Sequence, residues 1–190
     1  TPRFNDLNAE NADNIINGGG SGDTTSIWLV VWGPNTVHGI YPKGSKAGLS
    51  VTDKGQVTVE NVDGQGGRME AYRTHYRWDA GLTVRDWRSV VRIANFNLTG
   101  LGGAGSNLVD AQKMLVRQMI EATERSPQLG MGRAAFYCNR TVRTALRLAI
   151  LERVSNNLTW ETVEGKRVMT FDDIPVRTSD ALLSTETAIS

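Results

Sequence analysis

The sequence predicts an α+β protein, and three observations predict it. Short runs rich in β-branched and aromatic residues, bounded by Gly, Pro and Asn, fill the first half. Two stripes of helical period occur only after residue 100. A third group of short apolar runs with turn residues between them closes the chain. At 190 residues, 39% hydrophobic and 22% charged, the chain can bury one core or the cores of two small lobes.

Residues 1–26 are polar, and Gly18-Gly19-Gly20-Ser21-Gly22-Asp23 reads as a connector, with 1–22 as a flexible lead-in. A phosphate loop fails there, because no Gly-Lys-Ser/Thr follows to bring a lysine to a phosphate. Ile27-Trp28-Leu29-Val30-Val31-Trp32 reads as a buried strand ended by Gly33-Pro34-Asn35, with Val37–Tyr41 as its hairpin partner. Asp53-Lys54-Gly55 reads as a turn before a strand at Gln56–Glu60. After a turn at 64–67, Arg68–Trp78 alternates with large or charged groups on both faces. Such a strand suits a subunit boundary. A short turn or helix at Arg85–Arg88 precedes a strand at Ser89–Phe96.

The first helix is expected at about 107–125. Asn107 is its cap, and Leu108, Ala111, Leu115, Met119 and Ala122 are its apolar stripe. Ser126-Pro127 ends it. Ala134–Cys138 reads as a buried strand. Asn139 caps a second helix at about 141–154, with the stripe Val142, Ala145, Leu146, Ala149 and Ile150. Trp160–Val163 and Arg167–Phe171 form a hairpin about Glu164-Gly165. Ile174-Pro175-Val176 leads out, and Asp180–Leu183 begins a last short element. No internal repeat is visible.

The formal net charge of +1 argues against a dedicated nucleic-acid binder. The bases are mainly arginine, and five tryptophans and four tyrosines accompany them, the residue types that anchor protein interfaces. Cys138 is the single cysteine, which rules out an internal disulfide and fits a reducing compartment. No apolar run is long enough to cross a membrane as a helix. The start lacks an initiator Met and a signal-peptide pattern, and reads as a piece of a longer chain.

Gly100-Leu101-Gly102-Gly103-Ala104-Gly105 spells a dinucleotide fingerprint before a helix. The ribose-binding acid should end a second parallel strand, yet Glu121 and Glu124 lie inside the helix. A joint is the preferred reading, with Gly100, Gly102, Gly103 and Gly105 as hinge residues. His38 and His75 fall on separate strands without clustered carboxylates, so no metal site is expected. Cys138 reads as an inert buried thiol. Asp172-Asp173 points to opposite faces of a strand, so the two carboxylates do not converge. No serine sits in a nucleophile elbow. No catalytic residue and no cofactor are expected. Arg68, Arg73, Arg77, Arg85, Arg88 and Arg92, interleaved with Tyr72, Tyr76, Trp78 and Trp87, resemble a nucleic-acid platform. Glu70, Asp79 and Asp86 dilute it, and contact between subunits is preferred. The expected contact residues are Arg73, Arg77, Trp78, Arg85 and Trp87.

Three stretches carry a resemblance. The first is Val37-His38-Gly39-Ile40-Tyr41-Pro42-Lys43-Gly44 with Ala47-Gly48-Leu49, Tyr76-Arg77-Trp78-Asp79-Ala80-Gly81-Leu82 and Arg92-Ile93-Ala94-Asn95. The second is Ala135–Val142 with Leu146, and the third is Phe171-Asp172-Asp173-Ile174-Pro175-Val176 with Asp180-Ala181-Leu182. Over about residues 23–190 they resemble the major capsid proteins of tailed bacteriophages, of the Hong Kong 97 type. Asp173 departs from the family, which has glycine there in many members, and this puts the turn geometry in question.

The resemblance implies a Hong Kong 97-like shell protein: a peripheral β-rich region at 23–98, a glycine joint at 99–106, an axial region at 107–171 with two helices on a small sheet, and a return segment at 172–190. The family's N-terminal arm, extended loop and spine helix are expected outside what this sequence supplies, so closed shells are not expected from it alone. Implied partners are copies of the chain in hexamers and pentamers. Scaffolding, portal and decoration proteins could also bind. The enclosed double-stranded DNA is contacted weakly, and no membrane is involved. The implied place is the virion capsid, assembled in the host cytoplasm. Three other readings compete: an encapsulin-like compartment shell, a nucleotide-dependent enzyme built on Gly100–Gly105, and a small β-rich binding module such as a tail protein.

Overall fold

A computed structural model describes residues 4–9, 12–44, 47–60, 64–98, 101, 106–151, 158–163 and 165–190. The chain forms two compact units, one of residues 1–38 and 84–190 and one of residues 39–83. The hinge glycines Gly100, Gly102, Gly103 and Gly105 lie outside the described residues.

The larger unit is built on a mixed sheet. Its strands are β1 (Ile15–Asn17), β2 (Thr24–Trp32), β7 (Val90–Asn97), β8 (Arg133–Cys138), β9 (Leu158–Val163), β10 (Lys166–Phe171) and β11 (Ile174–Thr178). Between them in the chain come β3 (Val37–Ile40), β4 (Leu49–Glu60), β5 (Arg68–Trp78) and β6 (Gly81–Val84). Across the sheet the order is β1-β7-β2-β8-β11-β10-β9. Strands β1 and β7 run parallel, as do β8 and β11, while β2 is antiparallel to both β7 and β8.

One face of this sheet is covered by helices α1 (Ser106–Arg125) and α2 (Arg140–Leu151). Alternate strand residues, among them Ile27, Leu29, Val91, Ile93, Phe136, Met169 and Phe171, form one core with Leu115 and Met119 of α1 and Val142 and Leu146 of α2. The helical stripes expected from the sequence therefore face the sheet. Gln112 is fully buried between the helices, and its side-chain amide donates to the Ala145 carbonyl at 3.2 Å. Asn139 caps α2 as expected: its Oδ1 accepts from the Val142 amide at 2.8 Å.

The opposite face carries Trp28, Val30 and Trp32, half-buried against Phe4, Val37, Val90 and Trp87. Gly132 passes so close to the Trp32 carbonyl that a Cβ there would lie 2.1 Å from the oxygen, so no larger residue fits. Asn95 stands at φ +55, where the pairing of β2 with β7 slips between Thr25 and Ile27. This bulge turns Phe96 into the core, out of step with Ile93, and the Asn95 side chain secures it by bonds to Asn17 and Ile189.

The smaller unit is dominated by a two-stranded ribbon of β4 and β5, paired from Leu49↔Trp78 to Glu60↔Arg68. Almost every side chain of the ribbon is open to solvent.

Several expectations are corrected. Val37–Tyr41 is not a hairpin partner of the first strand: β3 touches β2 only through a parallel bridge at Trp32↔Val37, because β2 gives its two edges to β7 and β8. Asp53-Lys54-Gly55 is not a turn but an irregularity inside β4, with Gly55 at φ +69. Helix α1 begins at Ser106, so Asn107 lies within it. The strands at 24–32 and 90–97 belong to the same sheet as 133–138, and the compact units divide at 39 and 83. Long-range strand pairing, which no local pattern announces, decides this.

Candidate subunit-contact surfaces

Strand alternation sorts the ribbon into two faces. One carries the cross-strand pairs Leu49–Trp78 and Val51–Tyr76, and Tyr72 opposite Gln56. These are exposed apolar groups: Tyr72 is 85% exposed and Trp78 71%. The other face carries Arg73, Arg77 and His75, with Ser50 opposite Arg77 and Thr52 opposite His75. Arg77 is held by Asp79 at 2.9 Å. Thr58 donates a short hydrogen bond to Glu70, tying the strands near the far end. Trp78 also lines a shallow concavity of about 500 Å³ with Tyr41 and Pro42.

Of the five expected contact residues, Arg73, Arg77 and Trp78 thus share one exposed ribbon. Arg85 and Trp87 lie in the other unit and have work within the chain. The Arg85 guanidinium donates to the Pro34 carbonyl at 3.2 Å, and its backbone amide to Thr36 at 2.8 Å. Trp87 is half-buried against Phe4, Val37 and Val90. Its neighbour Arg88 pairs with Asp86 at 3.0 Å, which holds the Asp86 carboxyl below its ordinary range.

Arg92, read from the sequence as part of a locally basic stretch, is buried. It donates to Ser26 Oγ, to the Phe4 carbonyl and to Glu186, and its guanidinium lies 5.2 Å from the centre of the Trp28 ring. A lone arginine inside the apolar run Val90–Phe96 was the available signal, since such a group needs a complete set of partners.

A second surface escaped the sequence reading. On the face of the central sheet away from the helices, the register places Trp32 beside Arg133 and Tyr137 beside Arg177. The Trp32 indole donates to the Tyr137 hydroxyl at 2.9 Å, and the rings meet edge to face. The strands that bring these residues together are up to 145 positions apart in sequence, so spacing could not reveal them.

Residues considered for chemistry have structural places. Cys138 is buried, and burial pushes its thiol up to about 12 despite Arg143 nearby. Among the described residues no group of three or more His, Cys, Asp or Glu could hold a metal ion. Asp172 and Asp173, at φ +46 and +65, are the two central residues of a tight turn between β10 and β11, where Phe171 pairs with Ile174. This geometry answers the question posed by Asp173. The turn demands the left-handed region, which glycine adopts freely and aspartate tolerates.

Comparison with known proteins accords with this arrangement. A search of curated proteins finds no match. A chain of the near-atomic cryo-EM structure of bacteriophage Epsilon15 is 34% identical and superposes with a TM-score of 0.58. The match covers 99% of this chain and 56% of that one, so the present chain spans little more than half the length of that relative. The α+β architecture is therefore a phage capsid fold. The family described as "Major capsid protein GP7" matches over residues 1–190. That family is structural rather than catalytic, which disfavours the nucleotide-dependent enzyme reading. With a match along its entire length, the chain belongs to the major capsid protein GP7 family.

Proposed function

We propose that this chain forms part of a capsid subunit that self-associates into hexamers and pentamers of an icosahedral shell around double-stranded DNA, assembled in the cytoplasm of a bacterial host. Family membership over all 190 residues carries this reading. In the same reading the helix-covered region at 107–171 serves as the axial domain, joined through its sheet by strands from 23–98. Glycines at 100–105 act as a joint, and scaffolding, portal and decoration proteins are further partners.

The ribbon of β4 and β5 supplies the subunit contact in this proposal. A lone two-stranded hairpin is marginally stable in water. A ribbon that exposes Leu49, Val51, Tyr72, Tyr76 and Trp78 gains most when another surface covers it. Arg73 and Arg77 on its other face can form planar pairs with carboxylates of a neighbour. Arg85 and Trp87 are already engaged, so the contact is assigned to the ribbon rather than to them.

Negative-stain electron microscopy of the full-length protein tests this. Closed particles of capsid size are expected from the wild type, and their absence defeats the shell reading. A Tyr76→Ser/Trp78→Ser variant should keep its circular dichroism spectrum and lose the particles. Normal particles from that variant defeat the assignment to the ribbon.

A further inference from the structure

We infer that residues 183–189 are held as a peptide ligand, in a built peptide-binding seat that also accepts the same segment from another copy of the chain. The seat consists of the buried polar side chains Thr24, Thr25, Ser26, Arg92, Asn95 and Asn139. The segment itself puts no fully buried side chain into the protein, and Leu183 is 60% exposed. Together with Asn5 and Arg92 it lines a concavity of about 560 Å³. Polar contacts rather than the core therefore hold it. A segment with so little apolar burial can open while the sheet beneath it stays folded.

The seat meets the main chain at every third residue. Thr25 Oγ1 donates to the Leu183 carbonyl, Thr24 Oγ1 to the Glu186 carbonyl and Asn95 Nδ2 to the Ile189 carbonyl, each at 2.8 Å. In return the Glu186 amide donates to the Thr24 carbonyl at 2.9 Å and the Ile189 amide to Asn95 Oδ1 at 2.8 Å. Main-chain bonds of this kind give affinity for an extended peptide, and side-chain pockets give specificity. The specific feature here is a carboxylate: Glu186 accepts from Ser26 Oγ at 2.5 Å and from Arg92 at 3.1 Å. Asn139 adds a bond to Ser184 Oγ at 3.3 Å. An empty seat leaves a buried guanidinium without its carboxylate and buried hydroxyls without acceptors, which is costly. Refilling relieves that cost, and the same segment of a second copy carries identical chemistry. Exchange of an identical element between copies is a low-cost contact.

A labelled synthetic peptide with the sequence of residues 182–190 tests this on the full-length protein. Glu186→Arg sets a positive charge against Arg92 and unseats the protein's own segment. The folded variant should bind the peptide saturably by fluorescence anisotropy. A peptide carrying Glu186→Gln should bind it about tenfold more weakly, for want of the charged acceptor. The wild-type protein should also bind the unaltered peptide at least tenfold more weakly, because its tethered segment competes at a roughly millimolar effective concentration. Absence of binding to the folded variant overturns the inference, as does equal binding by the two peptides or by the two proteins. Hydrogen exchange of the wild type gives a reading that needs no variant. The amides of Glu186 and Ile189 should exchange at least tenfold faster than those of β2 and β7. Exchange of all of them at one common rate would show that the segment leaves only when the whole unit unfolds, and would overturn the inference.

Discussion

Arg92 and Glu186 form an ion pair at 3.1 Å across 94 positions of sequence, with side chains only 8% and 18% exposed. The pair fastens the last residues of the chain to the middle of the sheet. Ser26 Oγ donates to the same Glu186 oxygen at 2.5 Å, and Thr24 and Thr25 hold the backbone of 183–186. Because Arg92 also binds the Phe4 carbonyl, one guanidinium holds both ends of the described chain in place. Removing one partner of a buried pair leaves a charge without water or counter-ion. Arg92→Ala should lower the unfolding free energy by about 3–5 kcal/mol. Urea denaturation checks this, and a loss under 1 kcal/mol would contradict the network as described.

Asn139 works at both ends of its side chain. Its oxygen caps α2, while its nitrogen donates to Thr25 at 3.1 Å and Ser184 at 3.3 Å. Asn139→Asp keeps the cap acceptor and loses the donors. Asn139→Ala loses both, and should cost about 1–2 kcal/mol from the cap alone. The alanine variant should therefore be the less stable of the two in thermal melts. The reverse order would show that the cap is not the main contribution.

The turn at Asp172-Asp173 holds two non-glycine residues in the left-handed region. Relief of that backbone cost predicts that Asp173→Gly raises stability by about 0.5–1 kcal/mol. Asp173→Val, β-branched, should lower it by at least as much. Chemical denaturation of the pair of variants decides the matter: if valine is tolerated as well as glycine, the positive φ carries no cost.

Cys138 keeps its proton because burial penalises the thiolate. Its thiol should be inert to a disulfide reagent at pH 8 in the native protein and should react at once in denaturant. Fast labelling of the native protein would place the thiol at the surface, contrary to its burial.

Acid sensitivity has a defined sign at Asp180. Arg140 bonds it at 2.7 Å and holds its carboxyl below the ordinary carboxylate range. A depressed folded value means that its contribution to stability is present above the unfolded value and fades as pH falls through the folded one. Asp180→Asn should lose that contribution at pH 7, a small one because the pair is exposed, and should converge with the wild type in acid, so that the acid limb of its stability profile is flatter. An unaltered acid limb would show that the pair does not form in solution.

Much was legible in the sequence because the determinants are local. The stripes Leu115, Met119 and Ala122 and Val142, Ala145, Leu146 and Ala149 predicted two helices and their buried sides. Asn139 marked a helix start, and Arg68–Trp78 showed by alternation that it is a strand with large or charged groups on both faces. Helical period, capping chemistry and strand alternation are set by residues a few positions apart, so one chain read alone determines them, and with them the α+β class.

Tertiary structure alone decided how those elements pair. It placed the strand at 24–32 between 90–97 and 133–138, turned Arg92 from an apparent surface charge into the buried partner of Glu186, and set Trp32 and Tyr137 beside Arg133 and Arg177. It also spent Trp87 on internal packing. These outcomes depend on contacts between segments far apart in the chain, whose free energy is gained only when the sheet is assembled, and no local pattern records which distant edge a strand will choose.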